Sequence, residues 1–171
     1  MIILEDSRQQ ARKHDNKHRY FAEAGIEVRR TKLYVGDYTL PTDQSICVDT
    51  KKDIQELVTD VVQDHERFRA ECVRAQEAGI QLVILVEDIG GYADRQHKVF
   101  NRPVKNLDDL FQWANPRLFI RKDGKQKYPK ATRGSQLAKI CMTMQKKYGV
   151  RFEFCLPVES GRRVVEILTE E

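Results

Sequence analysis

Asp49 and Lys51 sit one residue apart in the run Ile46-Cys47-Val48-Asp49-Thr50-Lys51, shortly after Gly36-Asp37-Tyr38. If the run is a β-strand, its period of two puts Asp49 and Lys51 on one face with Cys47, and Ile46, Val48 and Thr50 on the other. A carboxylate and an ammonium then point together to a place where Asp37 could add a second carboxylate. Hydrolysis of a phosphodiester uses such a set. Clustered carboxylates hold Mg²⁺ (or Mn²⁺), which keeps several of its own waters. The bound metal lowers the pKa of a water and polarises phosphoryl oxygens, and a lysine adds a compact, mobile positive charge. On its own, Asp-x-Lys is more often a surface ion pair, and Asp37 a turn residue after Gly36.

The neighbouring residues separate these readings. Leu33-Tyr34-Val35-Gly36-Asp37-Tyr38 followed by Val48-Asp49-Thr50-Lys51 resembles the XPF-type nucleases, a branch of the restriction-endonuclease-like superfamily with a carboxylate…(Asp/Glu)-x-Lys active site. The resemblance reaches back to Asp6-Ser7-Arg8, where that family carries Asp-x-Arg-Glu, and forward to an acidic residue after the lysine, matched by Glu56, and to Arg67. It covers about residues 1–88. It implies Asp37, Asp49 and Lys51 as catalytic residues, Asp37, Asp49 and Asp6 as metal ligands, and Arg8, Glu56 and Arg67 in support. It also implies a Mg²⁺- or Mn²⁺-dependent endonuclease acting on branched DNA (flaps, forks or four-way junctions) in repair or recombination. Two departures stand out: Asp49-Thr50-Lys51 replaces the family's Glu-Arg-Lys, and Gln9 stands where glutamate is usual.

The charge distribution agrees with a phosphate-bearing partner. The 171-residue chain carries a formal net charge of +4, but residues 95–133 alone hold eleven Lys and Arg against three Asp and Glu, leaving the remainder at −4. An acidic remainder suits clustered metal carboxylates, and a basic segment suits phosphate neutralisation. Arg121, Lys122, Lys125, Lys127, Lys130 and Arg133 are the expected phosphate contacts. Phe111, Trp113, Phe119 and Tyr128 are interleaved with the charges, which argues for an ordered insertion at about 90–133 rather than a tail. Trp113 and Tyr128 could stack on an unpaired base, or simply pack.

Length predicts a single domain over 1–171 with a sizeable core. Mean hydropathy is −0.61, no apolar run approaches a membrane span, and the N-terminus has no signal-peptide pattern, so a cytoplasmic protein is expected. Cys47, Cys72, Cys141 and Cys155 are scattered and read as reduced, mostly buried thiols. His14 and His18 are four apart and read as one solvated helix face. Gly-x-Gly-x-x-Gly, Walker and Gly-x-Ser-x-Gly patterns are missing, so nucleotide-binding and serine-hydrolase chemistries find no support. The alternative reading is a non-catalytic nucleic-acid-binding module on a decayed nuclease fold, and the intact trio of Asp37, Asp49 and Lys51 argues against it. The chain holds no tandem helix-hairpin-helix pair after residue 88, so DNA grip falls to the basic segment. A homodimer would suit two-fold junctions.

The elements that must position these residues alternate. Strands are expected at 2–4, 26–30, 38–40, 46–51, 82–86 and 152–156, and helices at 15–24, 53–79, 107–113, 134–147 and 158–168. Residues 121–133 read as a loop. The expected architecture is α/β: a mixed central sheet flanked by helices, restriction-endonuclease-like, with the catalytic strands meeting at one edge of the fold.

Overall fold

The computed structural model describes residues 1–10 and 14–170. An unbroken apolar run decides the centre of the sheet: strand β5 (Gln81–Glu87) is apolar and buried at every position from Leu82 to Val86, which only a strand covered on both faces accommodates. Its neighbours are β4 (Ile46–Lys51) and β10 (Arg151–Cys155), both parallel to it. Beyond β4 lie β3 (Tyr38–Thr39), β1 (Ile2–Asp6) and β2 (Glu27–Thr31), giving the order β10-β5-β4-β3-β1-β2. The β4–β3 and β3–β1 pairings are antiparallel and β1–β2 is parallel, so the sheet is mixed, as expected.

Helices cover both faces. On one, α2 (Ile54–Val58), α3 (His65–Glu77) and α5 (Gly134–Tyr148) bury Leu57, Phe68, Leu137 and Cys141 against Cys47, Leu82 and Ile84. On the other, α1 (Asp15–Glu23) and α6 (Ser160–Leu168) bury Phe21, Val164 and Ile167 against Val48, Val83 and Leu85. Odd and even residues of β4 and β5 thus serve different cores. Each fully buried aliphatic or aromatic side chain contributes about 1.5–3 kcal/mol. All four cysteines are buried free thiols, as the scattered spacing predicts.

Four expectations need correction. The helix predicted over 53–79 is interrupted: α2 passes into a π-helical turn, Thr59–Gln63, before α3 begins. The Asp64 N–H donates to the Thr59 carbonyl at 2.8 Å, the five-residue reach of a π turn. The predicted loop contains a ribbon, β8 (Arg121–Lys122) and β9 (Lys125–Gln126), turning on Asp123 and Gly124 at φ +53° and +73°. Positive φ at both central residues is the hairpin turn that Asp-Gly favours. A second ribbon, β6 (Gly91–Asp94) with β7 (Val99–Asn101), opens the basic segment, and its helix is short, α4 (Leu107–Leu110). Finally, β4 is interior to the sheet, so the Asp-x-Lys residues lie at one end of central strands rather than at an edge.

Candidate active site

The Asp37 corner is built by close approach. Gly36 has φ +71°, and a Cβ there would stand 3.1 Å from the Val48 carbonyl oxygen, so glycine lets the chain lie directly on β4. The Asp37 N–H then donates to that carbonyl at 2.8 Å, tying the corner to the strand that carries Asp49 and Lys51. Thr50 orients the carboxylate: its N–H and its hydroxyl donate to Asp37 Oδ2 at 2.8 and 2.7 Å. The Gln9 amide donates to Asp37 Oδ1, and His14 Nε2 lies 2.6 Å from Gln9 Oε1. Both departures from the family pattern therefore act on Asp37. Threonine in place of arginine supplies a hydroxyl donor, and glutamine supplies an amide donor that a glutamate could not.

Period-two geometry holds on β4. Lys51 Nζ lies 2.8 Å from Asp49 Oδ2, on the face that carries Cys47 into the α2–α3–α5 core. The same ammonium lies 2.6 Å from Asp60 Oδ2 and 5.7 Å from the Phe68 ring centroid. Asp60, 7% exposed, comes from the π-helical turn, where the register shift carries it toward the strand. Burial alone would lower the Lys51 pKa, but Asp49 and Asp60 outweigh it and hold the group well above the ordinary lysine value. These two carboxylates thus favour the ammonium form of Lys51.

The two carboxylates are less settled than the ammonium. Burial pushes Asp37 above the usual carboxylate range, and the Asp49 charge pushes it further. Burial also raises Asp49, with Lys51 opposing and Glu71 adding repulsion. Asp49 Oδ2 receives no well-aligned hydrogen bond despite the nearby ammonium. A buried pair of mutually repelling carboxylates, one with an incompletely satisfied oxygen, fits a divalent cation, which would relieve both costs. Among the described residues, no three His, Cys, Asp or Glu side chains converge as a ready cage. Mg²⁺ is commonly held by one or two carboxylates together with waters and substrate phosphates, a donor set that Asp37 and Asp49 would supply.

A cleft of about 320 Å³ is lined by Asp6, Arg8, Asp37, Asp49, Lys51 and Arg67, together with Asp60, Glu71 and Arg74. Asp6 is in the cleft, but its carboxylate is engaged by Arg8 Nε at 2.7 Å and by the Leu33 N–H at 3.4 Å. Arg67 stands at the rim, 3.5 Å from Asp60 Oδ1. Glu56 is not brought into this cleft. It lines instead a second hollow of about 110 Å³ that shares Asp37, Asp49 and Lys51 with the cleft and adds Gln9, Lys17 and Lys52; its carboxylate accepts from the Lys52 N–H, and its own N–H donates to the N-cap Asp53. Asp60 and Glu71 escaped the sequence reading. Glu71 accepts the Gly36 N–H at 2.9 Å and so braces the Asp37 corner from α3.

Beneath the cleft lies a buried polar layer. Lys17 pairs with Glu87, and Glu5 receives Tyr38 Oη at 3.1 Å and faces His18 Nε2 and Arg30. His14 is buried against this layer, whereas His18 stays exposed, as a solvated face predicts, while its Nε2 meets Glu5. The six basic residues predicted to touch phosphate are all exposed, and none lines the cleft. Trp113 is 8% exposed and packed in the core, which removes it as a stacking residue. Tyr128 stays partly exposed between Arg117 and Lys127, whose charged groups lie 5.7 and 5.1 Å from its ring centroid.

A family model for the ERCC4 domain matches residues 6–162, nearly the whole chain and well beyond the motif-bearing half. Among solved structures, XPF from Aeropyrum pernix superposes with a TM-score of 0.60 at 16% identity, over 98% of this chain and 63% of that one. XPF from Aeropyrum pernix in complex with DNA superposes at 0.59 and 15% identity, over 98% and 62%. The chain therefore spans a little under two thirds of the length of these structures, and the likeness is one of fold. No curated protein matches the sequence.

Proposed function

The chain belongs to the ERCC4-domain family, and on that premise we propose that it is a metal-dependent endonuclease that hydrolyses phosphodiester bonds in branched DNA. The observation that carries the reading is the buried Asp37–Asp49 carboxylate pair beside an ammonium clamped by two aspartates. Mg²⁺ or Mn²⁺, when bound there, supplies an activated water and a positive charge on the phosphoryl oxygens. Asp37 and Asp49 hold that cation. Thr50 and Gln9 fix the direction in which Asp37 presents its oxygens. Lys51, kept protonated, offers a hydrogen-bond donor and a full charge to a developing phosphorane. Asp60 restrains the same ammonium as its second carboxylate partner. Arg8, Arg67 and Arg74 at the rim favour flanking phosphates.

A decayed, purely binding fold is the alternative, and the retained carboxylate pair disfavours it. Buried like charges cost stability unless something uses them. The basic ribbon and its flanks, Arg121 to Arg133, would grip the substrate backbone away from the cleft, and a second subunit would suit two-fold junctions. The test is cleavage of flap, fork, four-way and linear DNA with Mg²⁺, Mn²⁺ or EDTA. Metal-dependent cutting of branched substrates is expected; binding without cutting under every metal condition favours the alternative.

A further inference from the structure

The first ribbon of the basic segment displays its aromatics instead of burying them. Tyr92 and Phe100 are directly opposite each other across β6 and β7. Their rings meet edge to face at 5.0 Å and 79°, yet the residues are 50% and 55% exposed. Ile89, just before the ribbon, is 75% exposed. Such a patch contributes little to the core and is a liability for solubility.

The ribbon's base, by contrast, is rigid. Asp88 accepts the N–H groups of Gly90 and Val104 at 3.1 and 2.7 Å. The Asn101 amide exchanges two 2.8 Å hydrogen bonds with the backbone of Ala114. Gly90, at φ +70°, allows an approach so close that a Cβ would stand 2.5 Å from the Asn101 carbonyl oxygen. Rigid support under an exposed aromatic pair is the construction of a platform, not of a frayed loop.

Charge identifies the occupant. The Arg95 guanidinium lies 5.5 Å from the Tyr92 ring centroid, and Lys98 and Arg102 lie in and just after the ribbon, while Asp94 is engaged by His97. Aromatic faces among cations bind bases joined by phosphates. Position identifies which bases. Gly91 and Tyr92 line a cleft of about 170 Å³ together with Asp53, Ile54 and Gln55, a segment that begins two residues after Lys51. In the interior of duplex DNA every base face is covered by its neighbours, so the platform favours unpaired bases.

We propose that Tyr92 and Phe100 stack on an unpaired nucleotide of the substrate beside the catalytic cleft and thereby select branched over linear DNA, an inference that rests on the nuclease reading above. The test uses a forked DNA carrying 2-aminopurine at the first unpaired position, a blunt duplex of equal length, and Ca²⁺ in place of Mg²⁺. Binding of the wild-type protein should alter the 2-aminopurine fluorescence through stacking and should favour the fork. Tyr92→Ala combined with Phe100→Ala should weaken fork binding about ten-fold or more and abolish the fluorescence change, with a much smaller loss on blunt duplex. Tyr92→Phe, which keeps the ring, should behave as wild type, and thermal melting should show each variant folded. Unchanged fork preference in the double variant, or equal losses on fork and duplex, overturns the platform alone. A wild-type protein that binds neither DNA overturns the nuclease reading and the platform with it.

Discussion

The catalytic cleft and the basic segment carry charge in opposite ways. In the cleft, Asp37, Asp49, Lys51 and Asp60 are nearly buried, and each is fixed by a neighbour of opposite charge or by backbone donors. Along Arg121 to Lys130 every residue is exposed, and the ribbon there spans two residues per strand. Buried charges interact strongly and demand one geometry; exposed ones are screened and act mainly by their number and sign. On the proposed function, chemistry would belong to the first region and attraction to the second, and substitutions should separate them.

The largest effect expected is on cleavage by Asp37→Asn or Asp49→Asn, which should abolish it while leaving DNA binding close to wild type. Full cutting by either variant, in a Mg²⁺ assay, would remove the residue from the site. Next comes Lys51→Ala, expected to cost on the order of 10²–10³ in rate, the effect of losing one preorganised charge donor. Exposed Lys52→Ala should be mild, and equal losses would mean that the pairing of Asp49 with Lys51 is not what matters. Asp60→Asn keeps the shape but removes half of the clamp, so a loss on the order of 10-fold, well short of losing the ammonium itself, is expected in rate more than in substrate affinity.

In the second region, neutralising Lys122, Lys125, Lys127 and Lys130 should spare folding and single-turnover chemistry. It should lower the salt slope of duplex binding by about 0.9 for each phosphate contact removed. An unchanged slope would make the ribbon a solvated loop. The smallest effect is on stability. Asp37 has a folded pKa pushed up to about 7 from 3.8, so the folded state holds the proton more tightly than the unfolded one. Its stabilising contribution is therefore present at low pH and is lost as pH rises toward the raised value. Asp37→Asn, with EDTA present, should melt progressively higher relative to wild type as pH rises from the ordinary carboxylate range through neutrality; roughly 2–4 °C accompanies each kcal/mol in a chain of this size. A difference independent of pH would contradict the raised value.

The strand pattern made the heart of the site legible. Asp49 and Lys51 could be placed together because period two is strict on β4, and the continuous apolar run from Leu82 to Val86 named the centre of the sheet. Asp60 was hidden by a change of helical period. Helical spacing from Leu57 puts residues 60 and 61 on the apolar stripe, and an aspartate there is a buried charge that asks for a partner; the π-helical turn is what delivers it. Asp123-Gly124 carried its own hairpin signal, masked by the surrounding lysines. Glu56 had the right type and spacing, and it reaches a hollow that shares Asp37, Asp49 and Lys51, with its carboxylate held by the Lys52 N–H. Tyr92 and Phe100 could not be paired without the register of β6 and β7, since eight residues separate them in the chain.

The central claim is that Asp37 and Asp49 share one catalytic cation beside the Lys51 ammonium. Anomalous diffraction from crystals grown with Mn²⁺ tests it most directly. The account predicts a single strong peak within coordinating distance of both carboxylates, about 2.1 Å for the corresponding Mg²⁺ site, and its loss in Asp49→Asn. A peak held by other residues, or its persistence in that variant, would contradict it.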